Sequence, residues 1–194
     1  MLCCLIVQQL SDEQLINAYF NGGTETMEEL VRRYLKPIYK FVCRVLGSAA
    51  DADDVTQEVF IKTWRQLKKF DQTKSFKPWI FTIAKNSCLD FLKKKRAIPF
   101  SEFENETGEN LLTETLIDES PLPPELFERQ EIIAHVLAAL DKLTPAHKMV
   151  VLLHYHHNFT FEEIAVTLDA PMNTVKSRYR RALIKLRELL IAPK

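Results

Sequence analysis

Near its C-terminal end the chain carries Lys176, Ser177, Arg180 and Arg181 at helical spacing, with Arg178 and Lys185 beside them. Val175, Tyr179, Ala182 and Leu186 recur on the opposite face, the apolar stripe of an amphipathic helix. Long cationic donors on one exposed face can grip phosphates or read guanine edges in a major groove. The competing reading is a basic surface helix balanced by its own carboxylates. Glu188 is the one acidic neighbour on that helix, so such partners are scarce. Polyanion binding is the chemistry these residues suit.

Other chemistry finds less support. His154, His156 and His157 form a compact group, but no second ligand cluster backs a metal site, and they read as helix-end histidines. Cys3, Cys4, Cys43 and Cys88 form no C-x-x-C pair. Cys43 and Cys88 fall in helical patterns and read as small core residues. No nucleophile-base pair or phosphate loop stands out, so neither an enzyme nor a bound cofactor or metal is expected.

Charge is unevenly spread along the 194 residues. Lys plus Arg equals Asp plus Glu at 26 each. Yet residues 61–97 carry net +9, residues 98–128 net −9 with no basic residue, and residues 129–194 net +4, after a first block of net −4. Basic blocks flanking an acidic spacer again suggest a polyanionic partner. Only four glycines argue against a turn-rich β fold. No window approaches the roughly 18 apolar residues of a membrane helix. The first basic residue is Arg32, so a charged secretory n-region is missing. A soluble, intracellular, mostly helical protein is expected.

The elements that must position these residues follow from local signals. Ser11-Asp12-Glu13-Gln14 reads as a capping box opening a helix to about Phe20, ended by Asn21-Gly22-Gly23. A second helix is expected from about Thr24 to Leu46, kinked or split at Pro37. A third runs from near Asp51 to about Lys69, with Asp51, Asp53 and Asp54 in its first turn. After the loop Phe70 to Phe76 comes a fourth, about Lys77 to Lys95, with Pro78 in its first turn. Residues 98–128 lack any period and hold four prolines, which marks a linker. Helices are expected again from about Glu125 to Leu140 and from Thr144-Pro145 onward. Thr160 to Glu163 is a second capping box, and the segment Thr160 to Leu190 reads as helix-turn-helix. The fold class expected is all-α: a four-helix domain at 11–97 and a helix-turn-helix domain at 129–194, joined by an acidic linker at 98–128, after an unassigned lead at 1–10.

Three motifs in order carry a resemblance. Asp53-Asp54-Val55-Thr56-Gln57-Glu58-Val59-Phe60 is the first. Phe76-Lys77-Pro78-Trp79-Ile80 with Ile83-Ala84-Lys85-Asn86 and Asp90 is the second. Phe161-Glu162-Glu163-Ile164-Ala165 with Asn173-Thr174-Val175-Lys176-Ser177-Arg178 and Arg181-Ala182 is the third. From about Ser11 to Leu190 the chain resembles bacterial RNA polymerase sigma factors of the sigma-70 superfamily, in the small two-domain extracytoplasmic-function (ECF) class.

The resemblance implies a role for each motif. Asp54, Gln57, Glu58 and Phe60 would meet the clamp coiled coil of the polymerase core. Carboxylates and an amide can pair with clamp arginines while a buried aromatic anchors them. The loop with Asp71, Gln72, Thr73, Lys74 and Ser75 would capture a flipped base of the minus-ten element, offsetting an unstacking cost of a few kcal/mol. Lys77, Lys85, Asn86 and the Lys93–Arg96 run would follow strand phosphates. Trp79 reads as a core anchor before a stacking platform. Housekeeping sigma factors carry a Trp pair where Trp79 and Ile80 stand here, which implies melting only at well-matched promoters. Lys176, Ser177, Arg180 and Arg181 would read the minus-thirty-five element, with Arg178 on phosphate or polymerase. Asn173 replaces a frequent family Gly and would tolerate unusual backbone there. The acidic linker would thread the basic channels of the polymerase or strap the basic faces of the free protein. Implied partners are the polymerase core (clamp and flap), promoter DNA and an anti-sigma factor, with no membrane insertion. The implied location is the bacterial cytoplasm, on the nucleoid when active. A self-sufficient helix-turn-helix regulator and a sigma-like decoy that binds protein without DNA remain as alternatives.

Overall fold

The computed structural model describes residues 9–23, 25–97 and 124–191, with side chains from 96 to 131 outside that description. Expectations for Cys3, Cys4, Thr24, Arg96 and residues 98–123 therefore lie outside the described residues. Among those described, every regular element is helical. They form two compact units that part after Ala97.

In the first unit, α1 (Asp12–Phe20) starts at the expected capping box. The Ser11 hydroxyl accepts from the Gln14 amide at 3.2 Å, and the Ser11 amide donates to Gln14 Oε1 at 2.8 Å. Gly22 beyond its end has φ of +98°, a conformation open to glycine. Next comes α2 (Glu25–Leu46), which continues unbroken through Pro37. Its stripe of Leu30, Tyr34, Ile38, Phe41, Val42 and Val45 is buried, so packing outweighs the one backbone hydrogen bond that proline removes.

α3 (Ala49–Gln66) begins two residues earlier than the sequence suggests. Asp51 alone of its three early aspartates lies in the first turn, so the helix dipole accounts for Asp51 and not for Asp53 or Asp54. A 3-10 turn, Leu67–Lys69, follows. α4 (Phe76–Ala97) buries Phe76, Ile80, Phe81, Ala84 and Cys88. Phe81 meets Phe41 of α2 edge-on at 5.4 Å.

A polar clasp ties α1 to α2. Asp12 accepts from the Tyr34 hydroxyl and from Arg33 Nη1 at 3.0 Å. Arg33 also donates to Glu29 at 3.0 Å, and Arg32 pairs with the same carboxylate. Burial and the Asp12 carboxylate together push the Tyr34 hydroxyl far above the usual phenol range. Burial raises the Glu29 carboxyl, but hydrogen bonds from Arg32 and Arg33 outweigh it and leave it below the usual range.

In the second unit, α5 (Pro124–Asp141) leads to α6 (Pro145–Val151). Thr144 caps α6, with Pro145 in the first turn as expected. The helix then widens into a π turn, Leu152–His156. α7 (Phe161–Leu168) and α8 (Met172–Ile191) complete the helix-turn-helix. Leu143, Val151 and Ala182 are buried with Leu140, Tyr179 and Leu186 against them.

Two stability predictions follow from the clasp. Asp12→Ala strands the Tyr34 hydroxyl and one Arg33 donor, and should destabilise the first unit by about 1–3 kcal/mol in urea unfolding. The loss should be much smaller in a Tyr34→Phe background, because the two residues share one interaction. Glu29 has a depressed folded value, so its contribution should be full above about pH 4.5 and fade as pH falls below that. The stability gap between the native chain and Glu29→Gln should close on acidification. A constant gap would show that ionisation of Glu29 does not matter.

Candidate nucleic-acid and polymerase interfaces

Three surfaces hold the residues singled out by the motifs. On α3, Asp54, Gln57 and Glu58 are exposed, because Val55, Thr56 and Val59 take the inward positions. Glu58 pairs with Lys62 at 2.7 Å, and Lys62 donates to Ser87 of α4 at 3.0 Å. Phe60 is only half-buried. Two neighbours absent from the sequence expectation share this side. Ile61 is 50% exposed and Trp64 is 51% exposed. Tyr19 of α1 packs edge-on against Trp64 at 5.2 Å, and Phe20 adjoins Tyr19 at 5.5 Å. The missed signal was spacing: Ile61 and Trp64 stand four and seven residues from Gln57, on its face.

The second surface is the loop before α4. Asp71, Gln72, Thr73, Lys74 and Ser75 are all exposed. The loop is nonetheless folded on itself. The Asp71 carboxylate accepts from the Thr73 amide at 3.1 Å and from the Thr73 hydroxyl at 2.7 Å, and the Lys74 amide donates to the Asp71 carbonyl at 3.0 Å. Those two Thr73 bonds hold the Asp71 carboxyl below its usual range. Phe70 and Phe76, at the two ends of the loop, are buried 5.7 Å apart, edge to face. Trp79 packs on both, at 4.9 Å and 5.5 Å. It is half-buried beneath the loop, which suits the core-anchor reading.

Along α4 the lysines differ. Lys77 is half-buried, and Asn86, Lys93, Lys94 and Lys95 are exposed. Lys85 departs from the expectation that it follows strand phosphates. It is 8% exposed, because it stands four residues after Phe81 and three before Cys88, on the buried stripe. Lys95 is tied to Asp51 at 3.1 Å.

The third surface is α8. Val175 and Ala182 are buried and Tyr179 half-buried, while Lys176, Arg180 and Arg181 are exposed. Ser177 and Arg178 are half-buried at its margin, and the Ser177 hydroxyl donates to the Thr174 carbonyl at 2.9 Å. Lys185 pairs with Glu188 at 3.1 Å. The preceding helix, α7, is closed at its start by the expected capping box, where the Thr160 amide donates to Glu163 at 2.8 Å. Its turn contains Asp169 with φ of +50°. Asn173 is already inside α8, so the unusual backbone falls at Asp169 and asks nothing of Asn173. His154 stacks on Phe161 at 4.6 Å and meets Tyr179 edge-on at 4.9 Å. Its Nδ1 lies 2.9 Å from the Phe159 carbonyl. Among the described residues no three His, Cys, Asp or Glu side chains gather as a metal site.

Comparison with known proteins gives a consistent set of matches. Residues 30–98 match the family Sigma-70 region 2, and residues 139–188 match Sigma-70, region 4. The chain is 31% identical over 176 residues to the ECF RNA polymerase sigma-E factor of Escherichia coli, covering 90% of this chain and 92% of that one. It is 29% identical to the ECF RNA polymerase sigma factor SigE of Mycolicibacterium smegmatis, over 93% of this chain and 69% of that one. In fold it resembles the sigma factor RpoE solved with the anti-sigma factor NepR from Bartonella quintana. That match has a TM-score of 0.68 and 21% identity, over 88% of this chain and all of that one. CnrH, solved with the cytosolic domain of CnrY, gives 0.67 and 23%, over 94% and 99% of the two chains.

The loop geometry makes its own prediction. Asp71→Ala should speed hydrogen exchange at the Thr73 and Lys74 amides while leaving amides of α2 and α4 unchanged. Unchanged exchange at Thr73 would mean that the side chain does not hold the turn.

Proposed function

The chain belongs to the sigma-70 family of RNA polymerase sigma factors, in the ECF class, and from that premise we propose how its surfaces share the work. As a sigma factor it binds core polymerase and gives it promoter specificity. In this reading α3 docks on the core through Asp54, Gln57 and Glu58, with Ile61 and Trp64 supplying apolar contact beside Phe60. Interface energy concentrates in buried aromatic anchors ringed by polar groups, and Trp64 is the aromatic side chain of that face left half outside. Docking also requires Glu58 to exchange its Lys62 partner for one on the polymerase, or to share it.

The Asp71–Ser75 loop takes a base of the minus-ten element. It arrives already folded, which lowers the ordering cost of capture. Asn86, Lys77 and the lysines at 93 and 94 then follow the strand, and Lys85 is left out of that set. α8 enters the major groove of the minus-thirty-five element with Lys176, Ser177, Arg180 and Arg181, and Arg178 takes phosphate at the groove edge. The division of labour follows residues 11–97 for core binding and the minus-ten element, 98–128 as linker, and 129–194 for the minus-thirty-five element. No chemical step belongs to the chain, because nucleotide transfer is the work of the core. An anti-sigma factor is a further proposed partner, and the proposed location is the bacterial cytoplasm and, on promoters, the nucleoid. Among the described residues no helix is long and apolar enough to cross a membrane.

The observation that carries this reading is that the polar candidate contact residues on all three surfaces, Lys85 apart, are exposed or half-exposed rather than buried in the two cores. A self-sufficient regulator would use α8 alone and leave the face of α3 without a task.

Two variants test the assignment. Trp64→Ala should weaken binding to core polymerase by about 2 kcal/mol or more, with binding of the second unit to duplex DNA unchanged. Equal loss of both would point to misfolding. Arg181→Ala should cost about 1–3 kcal/mol on promoter duplex and much less on random duplex if it reads a base. Equal losses would make it a phosphate contact.

A further inference from the structure

Reading a base asks more of a helix than gripping a phosphate. A lysine or arginine can follow a phosphate over a range of approach, whereas a bidentate pair with a base edge needs both its bonds aligned at once. α8 must therefore be held firmly where its candidate readers stand, from Lys176 to Arg181. The buried cluster of the second unit grips α8 mainly beyond that stretch. Ala182 is its buried member on that helix, with Leu186 a turn later and Tyr179 at the near end.

Tyr179, on the inner stripe between Arg178 and Arg180, is met by two rings from other elements. His154 of the π turn contacts it edge-on at 4.9 Å, and Phe161 at the start of α7 does so at 5.4 Å. His154 and Phe161 stack on each other at 4.6 Å, 15° from parallel. All three are half-buried, so the group lies partly in solvent and not in the core. His154 is also fixed from behind, because its Nδ1 lies 2.9 Å from the Phe159 carbonyl. A carbonyl only accepts, so Nδ1 carries the proton. The backbone around it is unusual. The His157 amide reaches back five residues to the Leu152 carbonyl at 3.1 Å, and the Phe159 amide six, to that of Leu153, at 3.0 Å. Such π turns recur at functional sites. Filling space would need an apolar side chain only, whereas a stacked ring with its own hydrogen bond has a fixed orientation.

We propose that His154 is a positioning residue for base readout: through its ring contact with Tyr179 it sets the approach of Arg180 and Arg181 to the minus-thirty-five element. This deepens the sigma-factor reading above and rests on it. Contacts to phosphate, which tolerate small rotations of α8, depend on His154 far less.

The experiment uses the full chain bound to core polymerase, a promoter duplex from which that complex initiates, and the same duplex with its minus-thirty-five element scrambled. The readout is the ratio of the two affinities. His154→Ala should lower the ratio about tenfold, within the range of one lost bidentate base contact. The loss should fall on the intact duplex, and the scrambled one should be held as before. His154→Phe keeps a ring against Tyr179 and should restore most of the ratio. His154→Asn keeps a donor for the Phe159 carbonyl but no ring, and should match His154→Ala. In an Arg181→Ala background His154→Ala should cost much less, because the two changes act on one contact. A native ratio in His154→Ala, even with lowered thermal stability, would overturn the proposal and reduce His154 to packing. Equal loss on both duplexes would overturn it too, as would a native ratio in His154→Asn. If His154→Ala does not fold, the contrast between His154→Phe and His154→Asn decides alone. If the native complex does not distinguish the two duplexes, the reading of α8 itself fails, and His154 has nothing to position.

Discussion

Aromatic packing fixes the geometry on which both units depend. Phe76 is 1% exposed and meets Tyr34, Phe70 and Trp79 with ring centres 5.2 to 5.7 Å apart. The five residues between Phe70 and Phe76 are polar and exposed, so they cannot bury enough of themselves to hold a shape. Their ends are pinned by the rings, and Asp71 closes the interior of the loop on Thr73. Edge-to-face rings add to the area they bury, and they leave little freedom at the point where the loop joins α4. In the second unit, Phe161, His154 and Tyr179 make a smaller version of the same arrangement. It joins the start of α7 to the inner face of α8, so the basic face of α8 is presented at a fixed angle to the helix before it.

Small helical domains have few apolar side chains to spare, which gives meaning to those left outside. Trp64, Ile61 and Phe20 are exposed in a unit whose core is otherwise filled by Leu, Ile, Val and Phe. They adjoin exposed carboxylates and an amide rather than lying scattered. The combination of an apolar centre with a polar rim is what a protein interface requires. The face of α8 differs in carrying Lys176, Arg180 and Arg181 exposed, with Leu183 and Ile184 beside them. On the reading proposed above, protein is met on α3 and nucleic acid on the loop, α4 and α8.

What the sequence made legible was local or periodic. Ser11 with Gln14 and Thr160 with Glu163 are caps written within four residues, and both form. The stripes of α2 and α8 follow from period alone. Other features depended on tertiary competition. Pro37 did not break α2, because the packed stripe on either side holds the helix through it. Lys85 looked like one more lysine in a basic helix, but its position between Phe81 and Cys88 on the buried face outweighs its charge. Phe60 and Trp64 are both aromatic and a turn apart, and sequence could not say which would be the more exposed. The π turn at Leu152–His156 has no signal in composition. The left-handed residue fell at Asp169, which ends α7, rather than at Asn173, where resemblance to the family pointed.

The central claim is that this chain gives core polymerase its choice of promoter. The direct measurement is transcription reconstituted from sigma-free bacterial core polymerase, this protein and a library of promoter fragments. The account predicts initiation from a subset that shares two upstream elements, one lost with substitutions in the Asp71–Ser75 loop and the other with Arg180 and Arg181 changed. Measurable core binding with no initiation from any fragment would contradict it, and would leave a protein that occupies polymerase without directing it.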